Sequence, residues 1–102
     1  MDIAKTERMN RLLDSYGPLL TAHQQDLMRL YFQEDYSLGE IAEEYHISRN
    51  AVFSLLKRVE DKLTDYEEKL GLMTLRDALQ EALAAPLDEA TLRKRIEALF
   101  NR

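Results

Sequence analysis

Seven residues near the middle of the chain, Ser48, Arg49, Asn50, Phe53, Ser54, Lys57 and Arg58, carry the richest recognition chemistry in the sequence. Arginine offers a planar fork of donors that suits guanine, asparagine can bridge adenine with two hydrogen bonds, and phenylalanine can meet a thymine methyl. Lys57 and Arg58 follow at the spacing where phosphates would run, and Ser48 opens the group. Catalysis, by contrast, has little to build on. His23 and His46 are separated by a whole helix, no Gly-rich phosphate loop is present, and no Ser or Thr stands in a nucleophile motif. The absence of cysteine excludes disulfides, thiolate zinc sites, iron–sulfur clusters and a Cys nucleophile. Glu43–Glu44 and Glu67–Glu68 are adjacent on helices, so their side chains diverge and read as solvated faces rather than metal clamps. His23 reads as helix-end surface. The expected protein has no catalytic, cofactor-binding or metal-binding residue and is not an enzyme.

The elements that must position these residues are helices. With 102 residues the chain suits one domain, and 45% hydrophobic with 32% charged residues is a composition that folds. Only 3 Gly and 2 Pro punctuate it, too few for a many-turned β fold. Met9, Leu12, Leu13 and Tyr16 mark a first amphipathic helix ended by Gly17-Pro18. Thr21 to Gln24 reads as a capping box, and Leu27, Met28, Leu30, Tyr31 and Phe32 follow as a second helix. Ser37 to Glu40 is another capping box, opening a short third helix with Leu38, Ile41, Ala42 and Tyr45 on one face. Ser48 caps a fourth helix with no breaker until Gly71. Two more follow, one carrying Leu72, Leu75, Leu79, Ala82 and Leu83 and ending before Pro86, the other capped by Asp88 and carrying Leu92, Ile96, Leu99 and Phe100.

Two helices joined by a three- or four-residue turn define a helix-turn-helix, and residues 37–58 fit that description. Ala42 is small where the helices cross, while Ile41, Tyr45, Ile47, Val52 and Leu55 can fill the wedge between them. His46 falls at the sharp turn, where positive φ is needed and His is among the tolerated non-glycine residues. The predicted fold class is therefore all-α. A helix-turn-helix domain occupies residues 1–71, and residues 72–102 form a helical C-terminal extension for packing or dimerisation.

The stretch from Ser37 to Arg49 resembles region four of the bacterial primary sigma factors, which places the fold near the winged-helix-like superfamily. A wider set of residues looks like the YlxM family of small Gram-positive helix-turn-helix proteins, whose genes lie beside those of the signal recognition particle. That set is Arg8-Met9-Asn10, Leu19 to Ala22, the run Asp35 to Glu44, Ser48-Arg49 with Ala51-Val52, and Tyr66 to Leu70. The likeness covers residues 5–72 and fades beyond them. Asn50, Phe53 and Ser54 depart from the family's Ser-Arg-Gln-Ala-Val-Tyr-Asp pattern. The resemblance implies a regulatory or accessory part in the signal recognition particle pathway, with nucleic acid and particle components as partners and DNA favoured over RNA.

Charge pulls the other way. The net charge is -5, whereas a module that holds nucleic acid by neutralising phosphates is usually basic. Glu40, Glu43 and Glu44 sit on the first motif helix, where they would oppose phosphates. This keeps open a protein-interaction module that docks the particle's GTPase or RNA without reading bases, and an ordinary transcription regulator is a third reading. No apolar run approaches the roughly 20 residues of a membrane span, and no signal core opens the chain, so a cytoplasmic location is expected.

Along the fourth helix Val52, Leu56, Val59, Leu63, Tyr66 and Leu70 alternate steps of four and three, a heptad-like seam on a helix about 33 Å long. Its far half, Val59, Leu63, Tyr66 and Leu70, is expected to form a homodimer interface with Leu75, Leu79, Leu83, Ile96, Leu99 and Phe100. A two-fold dimer could set two recognition helices about 34 Å apart on one side of a duplex.

Overall fold

The Asp2 carboxylate accepts a hydrogen bond from the Ala4 N–H at 3.0 Å and starts the first of the six helices among the described residues. A computed structural model describes residues 2–101, in the order α1 (Ile3–Tyr16), a 3-10 turn (Gly17–Leu19), α2 (Ala22–Phe32), α3 (Leu38–Tyr45), α4 (Arg49–Leu70), α5 (Leu72–Ala84) and α6 (Glu89–Phe100). No strand occurs among the described residues, and none of the helices is long and apolar enough to cross a membrane. The chain is all-α, as its periodicity predicts.

Local chemistry sets the helix boundaries. Thr21 and Gln24 form a reciprocal capping box at α2, Ser37 and Glu40 form another at α3, and the Asp88 carboxylate accepts from the Thr91 N–H at 2.8 Å to start α6. Between α1 and α2 the Gln25 side chain donates to the carbonyls of Gly17 and Leu20, tying α2 to the 3-10 turn whose Gly17 carbonyl also accepts the Leu20 N–H. The Asn10 amide donates to the carbonyl of Phe32 at 3.2 Å, pinning the end of α2 against α1.

The core lies where α1, α2 and α3 close around the first four turns of α4. Leu12, Tyr16, Leu27, Met28, Ile41, Val52 and Leu63 are fully enclosed. Val52, Leu56, Val59 and Leu63 hold the predicted seam, and α1 covers its far half with Met9, Leu12 and Tyr16. Val59 and Leu63 are therefore buried by their own chain, which removes them from any surface between two copies. The reason lies in α1, whose 14 residues reach far enough along α4 to cover both. The same contact encloses Glu60, the one buried charge among the described residues, and Lys5 of α1 neutralises it at 2.6 Å.

Beyond this body the molecule is drawn out to 58 × 23 × 20 Å, with a radius of gyration of 17.5 Å where a compact chain of this length would have about 13 Å. The elongation comes from α5 and α6. Met73 anchors the start of α5 in the core and Arg11 pairs with Asp77, but α6 packs on α5 and buries none of its own residues.

Candidate nucleic-acid interface

α3 ends in a left-handed residue. His46 has φ 56° and ψ 43°, its N–H reaches the carbonyl of Glu43, and the Ile47 N–H reaches that of Ala42. This pair of bonds is a Schellman turn, which closes the helix and reverses the chain within three residues. The predicted positive φ at His46 is found. Ser48 then caps α4, its hydroxyl accepting the Ala51 N–H at 3.0 Å. That bond commits one lone pair of Ser48 to the helix, so its part in any interface begins as that of a cap.

The wedge between α3 and α4 is filled by Ile41, Ala42, Val52 and Leu56, with Tyr45 and Leu55 half-buried at its margins. Leu56 takes the deep place, and Ile47, expected in the wedge, stays exposed because the Schellman turn carries it over the outside. Behind α3 the Tyr45 hydroxyl donates to Asp26 at 2.7 Å, and Asp26 also pairs with Arg29, which reaches Glu34 at 2.6 Å. Burial, helped by the negative Asp26 beside it, pushes the Tyr45 hydroxyl up to about 12. His23 is exposed at the start of α2, with its ring 5.0 Å from that of Tyr45. These contacts fix the angle at which α3 presents α4.

On the outer face of α4 the structure brings Arg49, Asn50, Phe53, Ser54, Lys57 and Arg58 together, all exposed. Phe53 leaves 60% of its surface in solvent, where its ring is accessible to a partner. Lys57 pairs with Asp61 one turn on, at 3.2 Å across two exposed side chains, an attraction weak enough for a phosphate to displace. Arg58 makes no ion pair among the described residues. Arg49 also lacks a hydrogen bond or carboxylate partner there, and its guanidinium rests on the first turn of α3 at Gly39. Beside this row, Tyr36, Glu40, Glu43 and Glu44 line a shallow acidic recess on the outside of α3. Among the described residues no three His, Asp or Glu side chains converge as metal ligands would.

The expected dimer residues separate into three groups. Val59 and Leu63 lie in the core, Tyr66, Leu75, Leu79, Ile96 and Leu99 are half-buried, and Leu70, Leu83 and Phe100 are exposed. Glu67, read from sequence as part of a solvated pair, has a different place. Its carboxylate accepts from the Tyr16 hydroxyl at 2.6 Å, from the Met73 N–H at 2.9 Å, and from the N–H and hydroxyl of Thr74 at 3.1 and 2.6 Å. Partial burial works to raise its pKa, but the bonds from Thr74, Tyr16 and the two backbone groups outweigh that and bring it to about 2. Glu67 is the N-terminal cap of α5, supplied from the previous helix. Gly71, left-handed at φ 64°, makes this possible by turning α5 back over the end of α4. The spacing of an acid four residues before that glycine and a threonine three after it is the only trace of the cap in the sequence.

Comparison with known proteins gives this geometry a family. The family model for helix-turn-helix proteins described as YlxM / p13 like matches residues 3–101, covering α5 and α6 as well as the motif. The UPF0122 protein YlxM of Bacillus subtilis is 44% identical over 97% of this chain and 96% of its own length. A UPF0122 protein of Exiguobacterium sp. is 46% identical over 95% of this chain and 85% of that protein, and one of Bacillus licheniformis is 57% identical over 71% and 67%. With a Schellman turn joining α3 to a long α4 and a match that runs nearly end to end, this chain belongs to the YlxM / p13-like family of helix-turn-helix proteins.

Proposed function

We propose that this protein is a non-catalytic regulatory or accessory factor that binds nucleic acid, with DNA the favoured partner, through the outer face of α4. The observation that carries the reading is the row of exposed Arg49, Asn50, Phe53, Ser54, Lys57 and Arg58, held on a rigid helix by a filled wedge. Side chains of this kind at the start of a second motif helix are placed to enter a major groove. Family membership supports the fold of the reading, and action in or near the signal recognition particle pathway of the cytoplasm is part of the same proposal, resting on the resemblance to the YlxM family alone. Residues 1–71 would carry the recognition domain and 72–102 its assembly extension, a homodimer forming through exposed Leu83 and Phe100.

The acidic recess of Tyr36, Glu40, Glu43 and Glu44 favours a second reading, in which the outside of α3 docks a basic protein surface and the motif reads no base. A salt titration separates the two. Phosphate contacts give a steep fall of log affinity with log salt, and replacing Arg49 and Lys57 with Ala flattens the slope by about one unit for each phosphate no longer neutralised. Anisotropy on labelled DNA and RNA duplexes would show this. Affinity that ignores both substitutions, combined with nuclease-resistant capture of the particle's GTPase, would favour protein docking.

A further inference from the structure

Gly39 sits in the second helical position of α3, and its φ is not positive, so its backbone does not call for glycine. Helix propensity argues against it, since alanine is the better helix former. Its neighbours explain it. A Cβ placed on Gly39 would meet Arg49 Nη2 at 2.9 Å, Nε at 3.0 Å and Cζ at 3.2 Å, and these are the nearest atoms it would meet. The bare Cα is thus the seat on which the Arg49 guanidinium rests.

We infer that Gly39 is a positioning residue that holds the Arg49 guanidinium over the first turn of α3, ready for a nucleic-acid phosphate or base edge. This inference rests on the proposed function, because it concerns the use to which Arg49 is put. Three features support it. Arg49 is exposed and its guanidinium has no carboxylate or carbonyl partner among the described residues, so its donors are left for a ligand. It crosses from one motif helix to the other, which restricts a long side chain that would otherwise sample many rotamers. A side chain ordered before binding loses less entropy when it binds. The atoms that a Cβ would displace belong to the far end of a flexible side chain, so the fold can absorb the change by releasing Arg49 alone.

The test is Gly39→Ala in the full chain beside Arg49→Ala and the double variant, with a fluorescein-labelled mixed-sequence DNA duplex as probe. Gly39→Ala should leave the melting temperature unchanged or raise it by about 1–3 °C, since the gain in helix propensity is smaller in a first turn than in a helix interior. It should also weaken binding about two- to tenfold, the ordering cost of one long side chain, and leave the salt slope unchanged, because Arg49 still neutralises the same phosphate once bound. The double variant should bind no more weakly than Arg49→Ala. The side-chain Nε–H resonance of Arg49, followed by NMR relaxation in the free protein, should become more mobile in Gly39→Ala. Wild-type affinity in Gly39→Ala with a weakened Arg49→Ala overturns the positioning role and leaves the proposed function standing. If Arg49→Ala binds DNA as the wild type does, the proposed use of α4 fails, and the relaxation data still decide whether Gly39 orders Arg49. A lowered melting temperature in Gly39→Ala would mean the Cβ strikes something firmer than Arg49, and would also overturn the inference.

Discussion

The Tyr16 hydroxyl donates to Glu67 Oε1 at 2.6 Å while accepting the Leu72 N–H at 2.9 Å, so one side chain of α1 binds both the end of α4 and the start of α5. Two consequences follow for the shape of the molecule. The orphan N–H groups of Leu72, Met73 and Thr74, which every helix start must satisfy, are met by Tyr16 and Glu67 together. The direction in which α5 leaves the body is thereby tied to the core, because Tyr16 is itself fully enclosed.

Glu67→Gln should lose about 1–3 kcal/mol of stability at neutral pH. The folded carboxyl is held at about 2, below its ordinary 4.5, so its contribution is fully present above 4.5 and fades as pH falls toward 2. Urea unfolding of both proteins at a series of pH values should therefore show the gap closing between about pH 5 and pH 2. A gap that stays constant would assign the effect to shape instead of charge.

His46→Gly should stabilise the fold by about 0.5–1 kcal/mol, because glycine enters the left-handed region without the steric cost a side chain incurs. His46→Val, whose branched Cβ tolerates that region poorly, should destabilise it by more than 1 kcal/mol, roughly. Thermal melts of the two variants should move in opposite directions from the parent.

Ala42→Leu places three extra carbons at the buried crossing of α3 and α4, next to Ile41 and Val52 in the same cluster. Overpacking there should cost about 1–3 kcal/mol. Unfolding that is unchanged would mean that α3 can slide on α4, and would weaken the view of a rigidly presented recognition face.

Replacing Leu83 and Phe100 together with Ser tests the homodimer. These side chains are 75% and 84% exposed, so their loss should leave the stability of the single chain within about 0.5 kcal/mol. Sedimentation equilibrium should find a dimer for the parent at tens of micromolar, roughly, and a monomer for the variant, the change expected when these two exposed apolar side chains belong to the joining surface. A variant that still dimerises would move the interface elsewhere, and a monomeric parent would end the proposal.

The six helices, their caps at Thr21, Ser37, Ser48 and Asp88, and the left-handed turn at His46 were all legible in the sequence. Each depends on chemistry within about four residues, where a hydroxyl, a carboxylate or a periodic apolar side chain acts on its own turn of backbone. The exposed row from Arg49 to Arg58 was legible for the same reason, since helical spacing alone puts it opposite Val52 and Leu56. Tertiary structure decided what lies against what. The seam at Val59 and Leu63 has a spacing that would suit a second copy or the chain's own α1 equally well, and only the length and path of α1 choose between them. Glu67 looks like any exposed acid until Gly71 folds α5 back and Tyr16, 51 residues away, arrives beside it. Gly39 looks like a weak spot in a helix until the turn at His46 brings Arg49 across to rest on it. In each case the partner is remote along the chain, and burial and close approach, which no local pattern encodes, determine the role.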